Sequence, residues 1–124
     1  MSKAIHTNNA PEAIGPYSQA IVSGNLVFTS GQIAINPKTG NVEAKTIEEQ
    51  TRQVCENLSE VLNAAGSSLE KVVKTVCFLR NMEDFAAFNA VYGEYFTGKP
   101  ARSCVAVREL PKNVLVEVDT VAEI

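Results

Sequence analysis

The sequence predicts an α+β fold, one sheet with two helices, in a single domain spanning residues 1–124. Three observations carry this. The stretches 47–65 and 82–97 repeat apolar residues at the three- and four-residue steps of a helix. The other apolar runs are short and rich in β-branched residues, as strands are. Their order along the chain is strands, helix, strand, helix, strands, with no repeat, linker or low-complexity segment.

"KAIHT" (3–7) reads as a short edge strand, and "APEAIGPYSQ" (10–19) as a loop punctuated by Pro and Gly. "AIVSGNLVFTSG" (20–31) reads as two strands around a Gly24-Asn25 turn. "NPKTGN" (36–41) is a second turn-rich loop. In 47–65, Ile47, Thr51, Val54, Leu58, Val61 and Ala65 form an apolar stripe that Cys55 and Leu62 widen. Thr46 and Glu49 match a capping box, and Gly66 stands where the chain must leave the helix.

"VVKTVCFL" (72–79) is the most strand-like run. Alternation sends Val72, Val76 and Phe78 one way and Val73, Cys77 and Leu79 the other. The second helix follows through Phe85, Phe88, Tyr92 and Tyr95 or Phe96, with Asn81 as the expected N-cap and Gly98 as the expected C-cap. Two strands close the chain, at about 101–108 and 114–122. Several strands are apolar on both faces, and two helices cover one face of a small sheet. The other face calls for a second copy of the chain, or else for the chain's own loops.

The composition narrows the functional classes. With 124 residues, 45% hydrophobic and 20% charged, the chain is a soluble globular domain. No apolar run approaches the roughly 20 residues of a membrane span. The start, "MSKAIHTNNAPEA", lacks the apolar stretch of a signal peptide, so a cytoplasmic location is expected. The net charge of −3, with no basic cluster, argues against nucleic acid and anionic membranes as partners. Cys55, Cys77 and Cys104 are odd in number and widely spaced, which fits free thiols. With His6 the only histidine, no metal site is expected.

The chemistry concentrates in the last two strands. Paired as a hairpin about Pro111-Lys112, they would put Arg102, Cys104 and Glu117 on one face, with Arg102 and Glu117 as diagonal neighbours. One meaning is a structural ion pair, because buried opposite charges usually need each other. The other is that Arg102 awaits a carboxylate ligand, which its planar fork holds bidentately, while Glu117 is left to hold a water or carry a proton. Tyr17 in "GPYSQ" is a packing residue or a ligand contact. Ser30 and Gly31 in "TSGQ" are a turn, or a place where backbone approaches a ligand closely. Cys104 has no histidine beside it in the sequence, which argues for a wall residue rather than a nucleophile.

The motifs "GPYSQA" (15–20), "FTSGQI" (28–33), "VKTVCFL" (73–79), "FNAVYGEYF" (88–96), "PARSCVAV" (100–107) and "LVEVDTVA" (115–122) resemble the Rid family, in its RidA branch. The resemblance runs through nearly the whole chain in the same order. It implies a chorismate-mutase-like fold with a single mixed sheet and two helices on one face. It implies a homotrimer with a central barrel and three inter-subunit clefts. The implied activity is cofactor-free hydrolysis of 2-enamine and 2-imine acids, 2-aminoacrylate/2-iminopropanoate and 2-iminobutanoate, to a 2-oxo acid and ammonia.

By position, Arg102 matches the family's carboxylate-binding arginine and Glu117 its water-orienting glutamate. Tyr17, Ser30, Gly31 and Cys104 match pocket residues, and Asn89 a residue near the cleft. The stretch "YFTGKPARS" is shorter than in many members, and that loop borders the cleft. Two other functions compete: a trimer that only binds or senses a small carboxylate such as a 2-oxo acid, and an endoribonuclease or translation inhibitor.

Overall fold

The computed structural model describes residues 2–124. Six strands form one sheet: β1 (Ser2–Ile5), β2 (Ala20–Ser23), β3 (Leu26–Thr29), β4 (Val72–Leu79), β5 (Ala101–Ala106) and β6 (Val116–Glu123), in the order β1-β2-β3-β6-β4-β5. Only β4 and β5 are parallel, so the sheet is mixed. The helices are α1 (Ile47–Ala64) and α2 (Phe85–Tyr95). They lie together on one face, as the sequence implied.

Local chemistry explains the element ends. Thr46 and Glu49 form the expected capping box at the start of α1. Its far end closes with Gly66 at φ 84, whose N–H donates to the Asn63 carbonyl while the Ser67 N–H donates to that of Leu62. Val54, Cys55, Leu58, Val61 and Leu62 are all fully buried. The predicted second helix begins with a 3₁₀ turn at Met82–Asp84, where the Asn81 side chain accepts from the Glu83 N–H as expected.

Gly98 is not the cap. The helix ends at Phe96, and the left-handed residue is Lys99, at φ 52. Gly98 is glycine for another reason: a Cβ there would stand 3.1 Å from the Glu70 carbonyl oxygen. Phe96, not Tyr95, continues the stripe into the core, stacked on Tyr92 with ring centroids 4.5 Å apart.

Two expectations about the strands are corrected. β5 and β6 do not form a hairpin. β4 lies between them, parallel to β5 and antiparallel to β6. The helix between β4 and β5 is the reason, because a strand–helix–strand crossover brings the second strand back parallel to the first. Segment 107–115 is no hairpin turn either: Lys112 and Asn113 are both left-handed, at φ 54 and 57. The second correction concerns Val72. A register irregularity between Val72 and Lys74 puts Val72 opposite Ala122, on the buried side, away from Val76 and Phe78.

The core lies between sheet and helices. Val116, Val118, Thr120 and Ala122 of β6 point into it, beside Thr75, Cys77 and Leu79 of β4 and Val27 of β3. The opposite face carries Phe28, Val76, Phe78, Val105 and Val121, none of them buried. Phe28 and Val105 are 44% and 48% exposed, so the chain's own loops do not cover this face.

Candidate active site

β5 is an edge strand, and Arg102 sits on it level with Thr75 of β4 and, one strand further, Thr120 of β6. That row faces the helices. The Arg102 side chain accordingly meets α2. Its Nη1 donates to Asn89 Oδ1 at 2.5 Å, and its guanidinium lies 4.8 Å from the centre of the Tyr92 ring and 5.4 Å from that of Phe85. Tyr92 is itself fixed, with its hydroxyl 2.8 Å from the Thr75 hydroxyl. A hydrogen bond and two aromatic faces thus set the guanidinium plane. Arg102 makes no ion pair among the described residues. It lines a cavity of about 480 Å³ with Asn89, Thr97 and Lys99.

Glu117 belongs to the other face. It is level with Phe78, and Phe78 with Val105. The shared face expected for Arg102, Cys104 and Glu117 is therefore corrected: within one chain only Arg102 and Cys104 share it. β4 lying between the two strands, rather than a hairpin joining them, sets this register. An Arg102–Glu117 ion pair within one chain is excluded with it.

Glu117 has no cationic partner among the described residues. Burial pushes its carboxyl up from the ordinary range, and the nearby Asp119 charge adds to this. It lines a second cavity of about 330 Å³ with Tyr17, Gly31, Pro111 and Lys112. Gly31 leaves room for the Glu117 carboxyl. A Cβ on it would overlap a Glu117 carboxylate oxygen and stand 2.8 Å from the carboxyl carbon. The Ser30 and Gln32 N–H groups are both bonded to backbone carbonyls, at 2.9 Å each. The Gly31 N–H between them has no partner among the described residues.

Ser30 lines neither cavity; its hydroxyl donates to the Ser18 carbonyl at 2.6 Å and ties down the loop that carries Tyr17. The sequence reading missed a companion, Gln19. It is 2% exposed, donates from Nε2 to the Pro11 carbonyl at 2.8 Å and accepts from the Thr7 N–H at 2.7 Å. A glutamine at a strand entry gives no sign of this in sequence. Tyr17, on the loop so held, is 51% exposed. Cys104 is level with Cys77 and half-buried. Burial raises its thiol, against a smaller opposing pull from Arg102. It is a poor nucleophile. His6 pairs with Glu12 at the surface, 3.5 Å apart, and lines neither cavity. Among the described residues no group of three or more His, Cys, Asp or Glu could hold a metal ion, and no helix is long and apolar enough to cross a membrane.

The family described as Endoribonuclease L-PSP matches residues 7–124. The chain belongs to that family. Among its relatives, a RutC family protein of Pyrococcus horikoshii is 53% identical, over 98% of each chain. The 2-iminobutanoate/2-iminopropanoate deaminase of Escherichia coli is 48% identical, again over 98% of each. A Yersinia pestis protein of the conserved Rid family, of unknown function, superposes with a TM-score of 0.97 at 47% identity, over the full length of both chains. The Rid resemblance and the α+β fold it implied are thereby borne out for this L-PSP family chain.

Proposed function

We propose that this chain is a hydrolytic deaminase of reactive 2-imino acids, converting 2-iminopropanoate (the tautomer of 2-aminoacrylate) and 2-iminobutanoate to 2-oxo acids and ammonia. One observation carries the reading. The two charged groups best suited to the chemistry, Arg102 and Glu117, have no oppositely charged partner among the described residues and face opposite sides of one sheet. They meet at one substrate only if two copies contribute. An uncovered apolar face supports such an assembly, and a homotrimer with three clefts is the form proposed. The 48% identity to a named iminobutanoate deaminase supports the substrate class.

In this reading Arg102 of one copy takes the substrate carboxylate by a bidentate contact. Asn89, Tyr92 and Phe85 keep the fork in one plane, and Cys104 serves as wall. Across the cleft, Glu117 of another copy accepts a hydrogen bond from a water directed at the imine carbon. As the water oxygen bonds to that carbon, the C=N π pair moves to nitrogen. Glu117 takes the water proton and returns it to nitrogen. Glu117 next carries the hydroxyl proton of the carbinolamine to nitrogen, the C–N bond breaks, and ammonia leaves as the 2-oxo group forms. A carboxyl raised by burial suits both halves of this proton traffic. Tyr17 and the free Gly31 N–H bound the pocket, with Ser30 as a tether. The imine carbon is already electrophilic, so orientation and one group that carries two protons in succession suffice.

The family's descriptive name raises RNA cleavage. The net charge of −3 offers phosphates no cationic track, and the single histidine is paired to Glu12. The deciding experiment measures ammonia release from 2-aminoacrylate generated in situ, with and without the purified protein. Acceleration is expected. Absence of acceleration with retained 2-oxo acid binding would favour a sensing trimer, and cleavage of RNA without imine turnover would favour the nuclease.

A further inference from the structure

We infer that Lys99 is a specificity residue: a second anion-binding group beside Arg102 that favours 2-imino acids bearing a further carboxylate on their side chain. The inference rests on the deaminase reading and deepens it. It begins with the backbone. Lys99 lies in the left-handed region at φ 52, where residues other than glycine are uncommon. Glycine is available one residue earlier, but Gly98 is committed to its close approach to the Glu70 carbonyl. The chain thus keeps a lysine where glycine or asparagine would fit with less strain. A backbone outlier of this kind at a cavity asks for a functional reason.

The charge distribution supplies one. Lys99 and Arg102 line the same cavity, and no Asp or Glu lines it. Neither cation makes an ion pair among the described residues. Lys99 is exposed and Arg102 half-buried, and together they give the cavity a cationic lining with no acidic residue to offset it. Asn89 occupies only one of the guanidinium's donors, so Arg102 keeps others for the α-carboxylate. The ammonium of Lys99, on its flexible stem, is the group left for a second carboxylate. Thr97, on the same wall, has no hydrogen-bond partner among the described residues and adds a hydroxyl donor.

The test compares two imines made in situ by amino-acid oxidases: 2-iminosuccinate from aspartate and 2-iminopropanoate from alanine. The readout is the ratio of their kcat/KM values. Lys99→Gly and Lys99→Asn both suit the left-handed backbone, so the fold is kept. Each should lower the dicarboxylate-to-monocarboxylate ratio on the order of 10-fold relative to the unaltered protein. A ratio held within about two-fold in both variants would overturn the inference, whatever happens to the separate rates.

A second arm needs no turnover. Calorimetry should find oxaloacetate bound more tightly than pyruvate by the unaltered protein, with the preference lost in Lys99→Gly. If neither imine is hydrolysed but this preference holds, the deaminase reading falls and the role of Lys99 stands. If both imines are hydrolysed and neither arm depends on Lys99, the reverse is true.

Discussion

Arg102 and Glu117 stand on opposite faces of one sheet, one level with Thr75 of the intervening strand and the other with Phe78. A chain so built cannot bring both to one small molecule by itself. Mixing two defective chains should therefore restore function. Arg102→Ala and Glu117→Gln should each be strongly impaired alone. In the proposed trimer, an equal mixture should regain about a quarter of the wild-type sites, where an intact Arg102 faces an intact Glu117 across an interface. Co-refolding followed by the ammonia assay measures this, and a mixture no better than its parents would return both residues to a site within one chain.

Arg102→Lys should keep the fold and the oligomer but lose hydrolysis on the order of 10²-fold, because a point charge cannot reproduce a bidentate contact held in plane. The loss should appear mainly in kcat/KM. Wild-type turnover in this variant would remove the carboxylate role.

Glu117→Gln should separate activity from stability. Hydrolysis should fall by about 10²-fold, the usual scale for a positioned acid/base group. Stability should move the other way. The folded-state pKa of Glu117 lies above its unfolded value, so the folded chain bears a penalty once the carboxyl ionises. That penalty is absent below the unfolded carboxylate range and is complete above the raised folded pKa. The variant should therefore melt at a higher temperature than wild type near pH 8, and the gain should vanish near pH 4. Thermal melts across this window check it; a lower melting temperature at pH 8 would point to a cation paired with Glu117.

Gly31→Ala tests how tightly the carboxyl is seated. Gly31 has an ordinary backbone conformation, so alanine costs nothing there by itself, but its methyl overlaps the Glu117 carboxyl. Activity should fall at least about 10-fold from displacement of Glu117, with the fold intact. A crystal structure of the variant should show the glutamate rotated away. Unchanged kinetics would show that Glu117 acts from another rotamer.

Much of this arrangement was legible in the sequence, for identifiable reasons. The capping box at Thr46, the stripe of α1 and its stop at Gly66 are local signals, and each occurs where it was read. Two-sided apolar strands correctly announced an uncovered sheet face. The pairing of β5 was misread because alternation reports the face of a side chain and not the identity of its neighbour. The helix between β4 and β5 held the missing information, since its crossover makes that pair parallel. The irregularity that turns Val72 inward has no residue signature in "VVKT". Lys99 in place of a glycine cap was hidden because Gly98 stood next to it and satisfied the rule.

The three thiols bear on what could compete with water at the proposed imine substrate. The imine carbon is electrophilic, so a thiolate within reach would add to it in place of water. Burial pushes Cys55 and Cys77 to about 12, and raises Cys104, on the strand that carries Arg102. Near neutrality all three remain protonated and slow to react. The packing that closes the core thereby also insulates the protein from its own proposed substrate. A cysteine moved to the mouth of the cleft would be expected to compete with water for the imine carbon and slow turnover.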